Sequence, residues 1–177
     1  MTREWLDWEW VRTWCDQTEP ELGRLMQSFE ARHGFPPGEN VITLTTDESN
    51  EATSALVDLT FPFAPSDLIT LYSVIRDISL PDVDHGHFIH SPATAADHFR
   101  EYGSIQVAGD GPALVFASDG GGHLFAVAGT GRVWKSTTAS WHADFEVAAD
   151  GIQEFLERLG CRIADQALDG RDRLGSS

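Results

Sequence analysis

Apolar residues recur at helical spacing at the start of the chain. Trp5, Trp8, Val11 and Cys15 follow one another within residues 3 to 16, with Leu6, Trp10 and Trp14 on other sides of the same turns. This spacing predicts a helix with so broad an apolar face that the domain or a partner must cover it. A second helix is predicted to begin at Thr18, whose hydroxyl can cap it with Glu21 three positions on, and Leu22, Leu25, Met26 and Phe29 then mark one stripe. His33-Gly34 and Pro36-Pro37-Gly38 end it, because glycine accepts left-handed backbone after a helix and proline cannot continue one.

The pattern then shortens. Val41 to Thr46 alternates as a strand does, Asp47 to Asn50 reads as a polar turn, and the apolar run from Leu56 to Phe63 predicts a second strand. Pro65-Ser66-Asp67 opens a helix carrying Leu68, Leu71, Tyr72 and Ile75 and ending near Asp77. Pro81 makes the segment from Ile78 to Val83 an edge or a loop, since proline donates nothing to a ladder. His87 to Ile89 is a brief strand, and Ser91-Pro92 opens a helix that carries Ala95, Phe99 and Tyr102 and stops at Gly103. Ala113 to Ala117, His123 to Ala128 and Arg132 to Thr137 are strand-like runs separated by glycine-rich turns, which predicts an antiparallel meander. A loop around Trp141 leads to an amphipathic helix on Ile152, Phe155, Leu156 and Leu159, ended by Gly160. The polar stretch beyond Cys161 is expected to fray. The expected organisation is therefore one α+β domain over residues 1–162 and a flexible tail over 163–177.

Composition narrows the function classes. The 177 residues, 41% of them apolar with six Trp and ten Phe, suffice to bury one core. Twelve basic and twenty-eight acidic residues give a net charge of −16, which repels phosphate backbones and anionic lipid and favours encounter with a cationic protein. Nucleic acid and membrane surfaces are accordingly not expected partners. Thirteen of the acids fall within residues 1 to 70, against four bases. Cys15 and Cys161 lack both disulfide density and metal-site spacing and read as reduced thiols. The charged N-terminus lacks the apolar core of a signal peptide, so the cytoplasm is the expected compartment.

Few constellations suggest chemistry. The segment from Gly129 to Ser136 resembles a phosphate-binding loop, but Trp134 stands where the glycine before the lysine is needed. Asp119 followed by Gly120, Gly121 and Gly122 reads as a hairpin turn, since one carboxylate is too few oxygens for a hard cation. Asp82, Asp84, His85, His87 and His90 are the one concentrated set of metal-ligand types. The pair His85 and His87 would share a face of any strand holding both, with Asp97 or Glu101 as a possible base. A polar loop bearing exposed histidines is the competing reading. There is no Gly-x-Ser-x-Gly elbow and no cysteine with a histidine beside it. No cofactor is expected.

The stretch from Leu114 to Val127, containing Ser118-Asp119-Gly120-Gly121-Gly122, the following Gly131-Arg132-Val133-Trp134, and the helix from Ile152 to Leu159 resemble the signature of the SUKH superfamily, proteins related to the yeast cell-wall assembly regulator. Ala64 to Tyr72 is similar to that family's tyrosine-bearing helix, and the resemblance spans roughly residues 60 to 160. It departs at Arg76-Asp77-Ile78-Ser79, where the family usually carries Asn-Gly, and at Ala128-Gly129, where an aspartate is common. The resemblance implies one mixed, largely antiparallel curved sheet with helices packed around it, and no active site. It also implies a bacterial immunity protein that neutralises a toxin by direct binding, and a basic nuclease-type toxin would suit the acidity. The expected contacts are Asp82, Asp84, Asp97, Glu101 and Asp119. The alternatives are a scaffold or regulatory interaction module of the same family and a metal-dependent enzyme built on His85 to His90.

Overall fold

The first helix, α1 (Trp8–His33), runs unbroken through the boundary that its sequence predicts. In the computed structural model, residues 5–63 and 65–174 are described, with side chains through 169. Residues 3 and 4 of the expected first helix, Ala64, and 175–177 of the expected tail lie outside them. Asp7 caps α1 by accepting from the Glu9 N–H at 3.0 Å, and Gly34 closes it at φ 79°. Thr18 is no cap but a buried residue inside the helix. Pro20 forfeits one helical hydrogen bond, yet buried side chains on both sides of it, from Val11 to Phe29, hold the turns together.

The predicted turn and second strand are one helix, α2 (Asp47–Thr60). Thr46 Oγ1 accepts from the Ser49 N–H at 3.2 Å and Ser49 Oγ from the Thr46 N–H at 2.8 Å, a reciprocal cap in which serine replaces the usual Glu or Gln. Its buried stripe is Ser49, Thr53, Leu56 and Thr60, so helical spacing is present but largely without hydrophobicity. The Thr53 and Thr60 hydroxyls are satisfied by Ser49 O and Leu56 O, one turn back.

Helix α3 (Ser66–Tyr72) stops before Ile75, which begins β2 (Ile75–Leu80). Strand β2 is interior, paired with β1 (Val41–Leu44) on one side and β3 (His87–Ile89) on the other, and Pro81 lies just past its end. Helix α4 (Pro92–Tyr102) follows, capped by Ser91. Next come β4 (Ile105–Val107), β5 (Gly111–Asp119), β6 (Leu124–Ala128), β7 (Val133–Ser136), β8 (Phe145–Ala149) and α5 (Ile152–Leu174). The predicted meander is β5, β6 and β7; β4 and β8 are additional to the expected strands.

The eight strands form one open antiparallel sheet in the order β1-β2-β3-β5-β6-β7-β8, with β4 pairing with the start of β5 and helices around the curved sheet. Strand β6 is apolar at every position because both faces are covered. Phe125 and Val127 join the main core with α1 and α5, while Leu124, Ala126 and Ala128 join a second cluster with Val107, Val115 and Trp134.

Residues 163–174, placed by the sequence in a tail, continue α5 and bury Ile163 and Ala167. Gly160 is there for another reason. A Cβ at that position would lie 2.9 Å from Trp14 Nε1, which donates to Leu156 O at 2.8 Å, so glycine admits the indole of α1 against α5. Gln166 binds the chain on both sides of Val83, its Nε2 donating to Asp82 O at 2.8 Å and its Oε1 accepting from the Asp84 N–H at 3.0 Å. Among the described residues, no helix is long and apolar enough to cross a membrane.

Candidate functional site

The glycine turn between β5 and β6 is built by its aspartate. Asp119 Oδ1 accepts from the backbone N–H groups of Gly121 and His123 at 3.0 and 2.9 Å, and Asp119 Oδ2 lies 3.1 Å from His123 Nδ1 and 3.8 Å from Lys135 Nζ. Burial pushes its pKa up, but the hydrogen bonds from His123 and the charges of His123 and Lys135 outweigh this, and the net shift is downward. Gly120 lies against the loop after β2: its N–H donates to Gly86 O at 3.1 Å, and a Cβ would fall 1.6 Å from His85 O. Gly122, at φ 83°, supplies the left-handed residue of the turn. Trp134 is buried in the second cluster, and its Nε1 donates to Asp110 Oδ2 at 2.9 Å.

This contact brings four of the sequence-predicted residues, Asp84, His85, His87 and Asp119, to one cleft beside α5. Asp84, at φ 50°, has Oδ2 3.2 Å from His87 Nε2 and 3.5 Å from Arg162 Nη1. The other predicted carboxylates lie elsewhere. Asp82 Oδ2 accepts from Gly38 N–H and from Asn40 Nδ2, both at 2.7 Å, tying two loops together. Asp97 and Glu101 are exposed on α4, Asp97 in a 3.0 Å ion pair with Arg100.

The histidines do not assemble as a metal centre. Strand β3 begins at His87, so His85 is outside it, in an exposed loop. His90 Nε2 instead lies 2.9 Å from Ser118 Oγ, and its ring meets His98 edge to face at 5.1 Å. Among the described residues, no three His, Cys, Asp or Glu side chains form a group that could hold a metal ion.

His90 carries a pH prediction. Burial, and then the neighbouring His98, lower its pKa from 6.5 to about 4. Between those values the unfolded chain binds a proton that the folded one refuses. Stability is therefore complete above pH 6.5 and falls as pH drops toward 4, by up to about 3 kcal/mol. Urea midpoints measured across this range should slope in the parent and flatten in His90→Gln.

A second hollow, of about 590 Å³, lies between the start of α1, β1 and the start of α2. Its rim carries Asp16, Glu19 and Asp47 against one base, Arg12, and none of the three carboxylates is in an ion pair among the described residues. Trp8 and Leu44 line it while remaining about half exposed (50% and 51%). Burial and the charges of Glu19 and Asp16 push the Cys15 thiol up to about 12, so it stays protonated. The boundary expected before Thr18 separates Asp16 from Glu19, and the turn expected at Asp47 to Asn50 separates Asp47 from Glu51; only the continuous α1 and α2 make each pair neighbours on one helix face.

No protein-family model matches the chain, and no curated protein matches it.

Proposed function

We propose that the protein works by binding and not by catalysis. It neutralises a basic, nuclease-type toxin domain through the acidic face formed by α1, β1 and α2. The observation that carries this reading is the hollow in which free carboxylates of Asp16, Glu19 and Asp47 surround half-exposed Trp8 and Leu44. Carboxylates without internal partners attract a cationic surface, and an aromatic anchor within a polar rim is the usual makeup of a binding hot spot. Such a face mimics the phosphate backbone a nuclease would grip. Exposed Asp97 and Glu101 extend the acidity onto α4, which packs against α2. The SUKH resemblance supports the same reading.

The test is calorimetry with the product of the neighbouring gene, which should be basic, at low and high salt. Binding should weaken as salt rises, and a combined Asp16→Lys, Glu19→Lys, Asp47→Lys variant should lose about a hundredfold or more in affinity. Salt-indifferent binding, or full affinity in the triple variant, would overturn the proposal.

A further inference from the structure

The cleft beside α5 gathers cations in an otherwise strongly acidic chain. It encloses about 350 Å³, within the range of small-molecule sites at roughly 300–1,000 Å³. Lys135, Arg158 and Arg162 converge on it with two carboxylates, Asp84 and Asp119, in a chain whose overall charge is −16. Its floor is apolar: Phe125 and Phe155 meet edge to face at 5.1 Å, beside Leu159.

The three cations are not equally committed. Arg158 is engaged by Ala148 O and the Glu154 carboxylate. Lys135 Nζ stands 3.8 Å from Asp119 and 5.6 Å from the centre of the Phe125 ring, and Arg162 Nη1 is 3.5 Å from Asp84. Close charge-assisted hydrogen bonds run at about 2.7–2.9 Å, so neither cation is bound tightly. An ammonium has three donors and a guanidinium five, which leaves N–H groups on both to offer. Asp119, by contrast, is occupied by the turn it builds.

We propose that this cleft binds a small aromatic carboxylate. The ring lies on Phe125, Phe155 and Leu159, and the carboxylate accepts from Lys135 and Arg162. A single negative charge suits a lining in which Lys135 and Arg162 each keep N–H groups to offer, whereas a dianionic phosphate would meet Asp84 and Asp119 as like charges. The offset rings give a flat ligand the stacking and edge contacts that aromatic groups prefer. None of the lining residues belongs to the hollow between α1 and α2, so the two sites can fail independently.

The experiment titrates isotope-labelled full chain with phenylpropionate, its neutral amide and phenylpropylamine, following amide chemical shifts. The carboxylate should shift Phe125, Lys135, Phe155 and Leu159 and bind about tenfold tighter than the amide, with the amine weakest. Arg162→Gln and Lys135→Gln each replace a side chain at least 43% exposed and should leave thermal melting unchanged. Each should weaken the carboxylate about tenfold and leave the amide unaffected. Equal affinity for carboxylate and amide, preference for the amine, shifts outside the cleft, or no binding of any probe would overturn the proposal, as would indifference to both substitutions.

Discussion

Replacing Gly120 with alanine is expected to lower stability by about 3 kcal/mol or more, the upper end of what overpacking costs. Gly120 is exposed, so the loss would not come from a cavity. The added Cβ would fall 1.6 Å from the His85 carbonyl oxygen and 2.8 Å from its carbon, and backbone cannot rotate aside as a side-chain tip can. Either the β5–β6 turn or the loop after β2 has to shift. That loop is held by Asp82 on Gly38 and Asn40, and by Gln166 on either side of Val83, so displacement spreads to α5. Neighbouring glycines serve as controls. Gly121→Ala meets mainly the His123 ring, at 3.3 Å, and should cost below about 1 kcal/mol. Gly122→Ala sits at φ 83° with Ala139 Cβ at 3.1 Å and should cost about 1–2 kcal/mol. Urea midpoints should rank the three with Gly120 well apart; an unchanged Gly120→Ala midpoint would refute the contact.

Ile163→Ala is expected to cost about 3 kcal/mol, within the range for emptying a fully buried aliphatic site. Leu168→Ala on the same helix, at a residue 51% exposed, should stay within about 0.5 kcal/mol. Ending the chain after Arg162 should cost more than Ile163→Ala. It also removes buried Ala167, the Gln166 carbonyl that accepts from Arg32 Nη1 at 3.0 Å, and the Gln166 side chain that ties the loop after β2. Chemical denaturation of the three proteins checks the ranking. A truncated chain as stable as the parent would show that these residues behave as the loose tail their polarity suggests.

Legibility along the chain followed how local the decisive interaction is. Strands β5, β6 and β7 and helix α4 were readable because a run of apolar residues, a glycine turn or a Ser-Pro start lies within a few positions of what it specifies. Helix α2 is not legible in the sequence because its buried face is mainly Ser and Thr, which satisfy themselves against the preceding turn and leave no hydrophobic period. The sequence shows a false boundary inside α1 because Thr18 and Glu21 imitate a cap, while the core that keeps the helix continuous lies far along the chain, on α5. Gly160 looked like a stop for the same reason: its partner is Trp14, 146 residues earlier in the sequence.

The candidate sites divide in the same way. Charge, the catalogue of chemically capable side chains and the glycine turn are properties of the chain written out in order, and the expected contacts Asp82, Asp84, Asp97, Glu101 and Asp119 rest on them. Which carboxylates remain free could not be read there. Whether an acid is spent on Gly38 or Arg162, or left open beside Trp8, depends on atoms brought within about 4 Å by folding, and sequence distance carries no record of that spacing. The cationic cleft arises likewise, because Lys135 and Arg162 belong to separate elements and meet only where α5 lies across the sheet.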